Sequence, residues 1–548
     1  GKLTRADGTR VFRYLPLEIP QHTRDYVRDA VTKGTASSVD FRVRGDLHDM
    51  PFMDPKQGEF RIAAKVADVN YAYVPPASAI AASTASKAPA SAARAGAPAP
   101  VWPALTGLSG ELVFERAGML VRNARGRLAG ATGIEVSKAE AQIADMSHHA
   151  ALLRVDAQAK GPLAELLRVG APLAGETGEV LSRVRATGTA DYRLHLELPL
   201  AALEAAKVQA SIALTDNELQ LVPEAPSFAH AKGVVGFTET GFSLAGVSAR
   251  LLGGEVRVEG RGRFAGPGRE VALKAQGTAT AEGLRAAREA EWLARIAAKA
   301  SGSTPYAATF SMRDGAPEFL LTSTLQGLAL QLPAPLVKAA DEQMPLRIEK
   351  KVLQRETRAG AAVAVQDQLS MELGRIGAAQ YVRDISGAEA RVLRGSIGIG
   401  LAAGEAAPVP DKGVLANVNV AKLDMPAWQA LVGDTASSAP EAAGGAERPE
   451  DAATGYLPTR IAVRAQELGI AGRTLHNVVL GGTRDGALWR ANIDATELSG
   501  YAEYRHTQAG RLYARLARLK IAPTEARQVE TLLDEQPGTL PALDIVID

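Results

Sequence analysis

The sequence predicts a mainly β protein, a long antiparallel sheet with a few short helices. Three observations carry this. Apolar and polar residues alternate with period two along many segments. Turns containing glycine recur about every 8–12 residues, the spacing of antiparallel hairpins. The 548 residues are 46% hydrophobic but only 5% aromatic, so Ala, Gly, Leu and Val supply the apolar surface, which suits a broad sheet better than a compact core.

The alternation is clearest over residues 233–264. Val235 and Phe237 lead to a turn at Gly241. Phe242, Leu244, Val247, Ala249 and Leu251 follow, then a Gly253-Gly254 turn, then Val256 and Val258. One side of such a strand is greasy and the other wet. The same pattern recurs at 39–47, 60–73, 191–222, 307–332, 391–401, 414–423, 459–480 and 486–505. Glu197, Glu239 and Glu255 are expected on wet faces.

Helical signals are short. A helix is expected over Thr23 to Lys33, ended by Gly34, and another over Pro162 to Val169. Glu282 to Lys299 places Ala286, Ala290, Leu293 and Ala297 on one stripe and predicts a single longer helix. Thr524 is a candidate cap for a terminal helix near 524–535.

An internal repeat is visible. Gly110, Phe114, Gly118, Leu128 and Gly130 share their spacing with Gly233, Phe237, Gly241, Leu251 and Gly253, 123 residues later. Leu112 matches Val235, and Val121 matches Leu244. A duplicated β-meander that lengthens a sheet is the expected meaning.

Residues 77–100 and 434–455 are low-complexity Ala, Ser, Pro and Gly. Neither buries enough apolar surface to offset its ordering entropy, so both are expected to be disordered loops. They divide the chain into three sheet-forming blocks, 1–76, 101–433 and 456–548.

Composition and motifs count against several functions. The chain has 62 basic and 61 acidic residues, a net charge of +1, and no basic face to neutralise nucleic-acid phosphates. Without cysteine there is no thiolate chemistry. The only histidine cluster is His148-His149, whose side chains would diverge on a strand, and no HExxH or G-x-S-x-G occurs. Gly260 to Gly266 and Gly395 to Gly400 have no helix beginning where a phosphate loop needs one. Neither an enzyme nor a cofactor site is expected. No apolar stretch reaches the roughly 20 residues that span a bilayer.

Several passages resemble the YhdP family of large AsmA-like proteins. They are YLPLEIPQHTRDYVRDAVTKG, VDFRVRGDLHDMPF and GEFRIAAKV near the start, then Trp102-Pro103 with LTGLSGELVFERAGMLV. RLHLELPL (193–200), KGVVGFTETGF and LTSTLQGLALQLPAPLVKAADEQMPLRI (321–348) complete them. The resemblance covers nearly the whole chain apart from the two low-complexity stretches. It implies a curled, elongated β groove of the AsmA/TamB-like kind with an apolar interior. It also implies a periplasmic location, with anchoring in the inner membrane by a helix outside this chain. The implied role is non-enzymatic movement of phospholipid between the inner and outer membranes of a Gram-negative envelope. A periplasmic scaffold that holds envelope proteins is the alternative. On this reading Leu194, Leu196, Ile212, Leu214, Val235, Phe237, Leu244, Val256 and Val258 line the groove. Alternation alone does not separate an open groove from a β-sandwich, in which the same residues would face a second sheet.

Overall fold

The computed structural model describes residues 1–15, 21–50, 52–54, 56–74, 103–148, 150–173, 178–223, 225–263, 270–287, 291–313, 316–356, 364–387, 390–402, 407–432, 455–470, 473–505, 511–520 and 542–547. The stretch 77–100, most of 434–455 and the expected terminal helix near 524–535 lie outside them. The chain is mainly β and divides into two units, residues 1–251 with 255–271, and residues 252–254 with 272–548.

In the first unit two short strands, β1 (Lys2–Leu3) and β2 (Ala6–Asp7), pair with one edge of β3 (Val31–Gly45). An antiparallel ladder continues through β4 (Gly58–Tyr71), β5 (Leu105–Glu115), β6 (Gly118–Leu128), β7 (Ala131–Ile143) and β8 (Leu152–Pro162). The short β9 (Arg185–Thr187) and the long β10 (Thr189–Pro199) both pair with β11 (Lys207–Gln220). β12 (Phe228–Thr238), β13 (Gly241–Leu251) and β14 (Gly253–Arg263) complete the unit's strands. Turns of one or two residues join β5 to β6, β6 to β7, β12 to β13 and β13 to β14, and such short connections make the strands they join antiparallel.

The repeat is one of conformation as well as sequence. Its two copies are the hairpins β5–β6 and β12–β13. Leu112 stands opposite Val121, and Val235 opposite Leu244. Left-handed backbone falls at the same three points in each copy: Gly107 and His230, Asn123 and Gly246, Gly130 and Gly253. At the first two points the ladder register shifts, as at a β-bulge, which absorbs one residue and returns the alternation to its face.

Phe52, between β3 and β4, holds the end of this hairpin together. Phe52 is fully buried. Its ring lies against Gly45 and Gly58, which are paired across β3 and β4, where any Cβ would collide with it.

The second unit begins with β15 (Glu270–Thr280), β16 (Ala300–Arg313) and β17 (Ala316–Ser323), with a short β18 (Leu328–Leu330) beside β16. β19 (Leu346–Glu356), β20 (Ala364–Leu373), β21 (Gly377–Asp384) and β22 (Arg391–Ile399) extend it antiparallel from β17. β23 (Gly413–Asp424) and β24 (Arg460–Ile470) then join in parallel, a feature absent from the sequence expectation. The connections between them span residues 400–412 and 425–459, long enough to return the chain to the same end of the sheet, as a parallel pair requires. β25 (Arg473–Asp485), β26 (Leu488–Asp494), β27 (Leu498–Arg505) and β28 (Arg511–Leu519) are antiparallel again, and β29 (Ala542–Ile547) adds in parallel. Among the described residues neither unit's ladder closes on itself, and neither has the strong curl the resemblance implies.

The helices cover strand ends. α1 (Gln21–Ala30) stops earlier than expected, because β-branched Val31 and Thr32 already belong to β3. α2 (Leu163–Gly170) is entered from Pro162 and fixed to the start of β7 by Glu165, which accepts from the Gly133 N–H at 2.9 Å, and to the β6–β7 turn by Arg168, which donates to the Gly130 carbonyl at 2.7 Å. α3 (Gly178–Arg183) follows. The single helix expected over 282–299 is two: α4 (Ala281–Ala286) and α5 (Glu291–Ala298). Thr280 caps α4 through the Gly283 N–H, and Ala287 leaves helical geometry at φ −74°, ψ 79°. Leu284 of α4 and Ile296 of α5 then pack on one cluster with Leu328, Leu330, Leu332 and Met344. α6 (Met425–Val432) begins over a second cluster centred on Leu468, Leu475 and Val478.

Candidate functional site

Cross-strand register decides which side chains share a face. In the first unit one row runs from Val39 through Ala64, Leu112, Val121, Ala141, Val155, Leu196 and Val208, eight strands without a polar residue. Two residues along the strands, Ala139, Ala157, Leu194, Ala210, Phe237 and Phe242 form a second row. A third joins Val136, Ala159, Tyr192, Ile212, Val235 and Leu244. Leu214 follows between Ala190 and Gly233. The register thus gathers seven of the nine expected groove residues onto one face. Val256 and Val258 share one face of β14.

These rows are neither sealed nor bare. Every member of the first and third is half-buried. Leu194 is 37% exposed, whereas Leu214 and Val256 are covered, at 6% and 2%. Tyr192, the polar side chain in these three rows, is tied down: its hydroxyl donates to the Gly161 carbonyl at 3.0 Å, and burial pushes its pKa up to about 12.

The opposite face is ionic. Arg154 pairs with Glu197 at 3.2 Å, His195 with Asp156 at 2.8 Å, Lys160 with Asp191 at 3.5 Å and Arg127 with Glu135 at 3.0 Å. Such exposed pairs are worth about 0–1 kcal/mol each, so they mark which side faces water more than they stabilise. Glu239 departs from expectation. It sits past the end of β12, and its carboxylate accepts the Val208 N–H at 3.0 Å, which lowers its pKa.

The second unit repeats the arrangement at greater length. One row passes through Ala308, Leu321, Ile348, Met371, Ala379 and Ile397, and continues through Ala416, Ile461, Gly482, Ala491, Ala502, Ala514 and Ile545. That is thirteen strands, about 58 Å at roughly 4.8 Å per strand. The next row runs from Leu346 and Leu373 through Ile399, Val418, Val463, Leu480 and Ile493 to Leu516 and Ile547, with glycines between.

Polar residues break this face at one margin, where sequence reasoning placed nothing. Asp367 stands opposite Arg383, which donates to both its carboxylate oxygens at 2.8 and 2.7 Å. Asp367 is fully buried. The signal was present: Asp367 is in phase with Leu369, Met371 and Leu373, and Arg383 with Tyr381 and Ala379. No group of three metal-ligating side chains forms among the described residues.

The second unit's other face carries ion pairs too, Arg347 with Glu349 at 3.0 Å and Arg490 with Glu503 at 3.6 Å, so each unit is a two-faced sheet, apolar on one side and ion-paired on the other, whose regular feature is an extended oily surface. The chain belongs to the YhdP family: the family model described as "YhdP protein" matches residues 1–548. It is 23% identical over 354 residues to the "Intermembrane phospholipid transporter YhdP" of Escherichia coli (strain K12), a match covering 63% of this chain and 25% of that relative. The chain thus spans about a quarter of the length of the curated relative it matches. No solved structure matches it.

Proposed function

We propose that this chain conducts phospholipid along the apolar face of its sheet, without chemistry, as a periplasmic part of a route between the inner and outer membranes. The observation that carries this is the set of unbroken apolar rows, most of their members half-buried, with ion pairs on the opposite face. Moving an acyl chain into water costs about 0.8 kcal/mol per CH₂, so two long chains cost tens of kcal/mol. A face that offers the same oily contact strand after strand removes most of that barrier at each step. One acyl chain occupies half of a roughly 30 Å hydrocarbon core, so the thirteen-strand row is several chain lengths long. The relative's name as a phospholipid transporter favours lipid over other apolar cargo. On this reading the membrane anchor belongs to other parts of the protein; no helix among the described residues is long and apolar enough to cross a membrane.

Native mass spectrometry of protein extracted without added lipid tests the reading. Bound species at phospholipid masses are expected. Lipid-free protein with co-purifying envelope proteins would overturn it in favour of the scaffold.

A further inference from the structure

The margin of the second unit's apolar face holds more positive charge than its own geometry uses. Asp367 and Arg383 would form a neutral pair by themselves. Lys350 lies on the same face, directly opposite Leu369, with its ammonium 3.5 Å from the Asp367 carboxylate and its side chain 30% exposed. The three groups sum to one positive charge. Arg383 also donates to the Tyr456 hydroxyl at 3.0 Å, which leaves that hydroxyl its own proton to donate. The Tyr381 hydroxyl donates to the Tyr456 carbonyl at 3.4 Å, and the two rings meet edge to face at 5.1 Å. Tyr456, near the end of the long β23–β24 connection, is thereby fixed to the sheet face.

A surplus cation beside a low-dielectric surface is unfavourable without an anion. Uncommitted donors remain on Lys350 and Tyr456. The oily rows begin one step along the strands, at Ile348 and Met371, about 7 Å away. We infer that Lys350, together with Arg383 and Tyr456, receives the phosphodiester of a phospholipid whose acyl chains lie on the Ile348 and Leu346 rows. This rests on the lipid-conduit reading and adds a headgroup station to it. A phosphodiester carries one negative charge, which matches the surplus, and accepts hydrogen bonds from ammonium and hydroxyl donors.

The test is calorimetric titration of the full chain with dioctanoyl phosphatidylglycerol, dioctanoylglycerol and inorganic phosphate. The wild type is expected to bind phosphatidylglycerol most tightly. Lys350→Gln should weaken phosphatidylglycerol about 10-fold, the size of one charge-assisted hydrogen bond, and leave dioctanoylglycerol unchanged. Lys350→Arg should restore binding to within about 2-fold of wild type, because it keeps the charge and the donors. Lys350 is partly exposed, so neither variant should unfold the chain, and matching thermal transitions check this. Equal affinity for the two lipids, or no loss in Lys350→Gln, overturns the headgroup station and leaves the conduit standing. Inorganic phosphate binding as tightly as phosphatidylglycerol makes the site one for free phosphate and overturns it too. Failure of wild type to bind either lipid overturns the conduit with it.

Discussion

Asn123 and Gly246, 123 residues apart, both hold left-handed backbone, at φ 51° and 68°, at the same point of two equivalent hairpins. In each the bulge returns the strand's alternation to the apolar face. Left-handed geometry is open to glycine, tolerated by asparagine and unfavourable for other L residues by roughly 1–2 kcal/mol. Asn123→Gly is therefore expected to change stability by less than about 0.5 kcal/mol, while Asn123→Val should lose about 1–2 kcal/mol or more. Urea denaturation of both variants measures the difference. Equal stability would mean that the bulge does not constrain this strand.

The repeat shows which information is local. Leu112–Val121 and Val235–Leu244 are opposed because the hairpin turns set their register, and those turns are written in adjacent glycines. The parallel pairing of β22, β23 and β24 follows from where long connections return, which no local pattern encodes. The break between α4 and α5 falls among strong helix formers, where propensity predicts continuation. It follows from the tertiary packing of Leu284 and Ile296 on one cluster. Asp367 looked like an ordinary acid among 61. Only its phase with Leu369 and Met371 set it apart, and that phase became meaningful once Arg383 was known to stand opposite.

The Asp367–Arg383 pair is buried enough for its loss to be severe. Asp367→Asn keeps the shape but leaves the guanidinium, 12% exposed, without its counter-charge. Breaking such a pair typically removes about 3–5 kcal/mol. The cooperative unfolding midpoint of the full chain should fall accordingly. A shift of less than about 1 kcal/mol would show that water or Tyr456 already satisfies Arg383.

Glu497 supplies a pH-dependent contribution. Burial raises its pKa, but hydrogen bonds from the His476 backbone N–H at 2.8 Å and ring Nδ1 at 2.7 Å outweigh this, and the net shift is downward. A folded pKa below the unfolded value of about 4.3 binds fewer protons in the folded state. The stability it contributes is complete above about pH 4.3 and is lost as pH falls through the depressed folded value. Glu497→Gln should therefore be less stable than wild type at pH 7, with the gap closing on acidification. Denaturation curves at pH 7, 4 and 3 give the comparison, and a gap that widens with acid contradicts the assignment.

The apolar face can be tested apart from the fold. Met371 is 41% exposed on the thirteen-strand row, and Ala378, exposed on the opposite face, neighbours its partner Ala379. A lysine at either position meets water, so both variants should stay within about 1 kcal/mol of wild type. They should differ in what they do to a guest. Met371→Lys places an ammonium among acyl CH₂ groups, each worth about 0.8 kcal/mol in apolar contact, and should lower co-purified phospholipid several-fold. Ala378→Lys should leave it unchanged. In the first unit a photo-crosslinking residue at Phe237 should capture lipid and one at Arg193, on the ionic face, should not. Equal labelling at the two positions, or equal lipid content in the two lysine variants, would place the lipid somewhere other than the oily face.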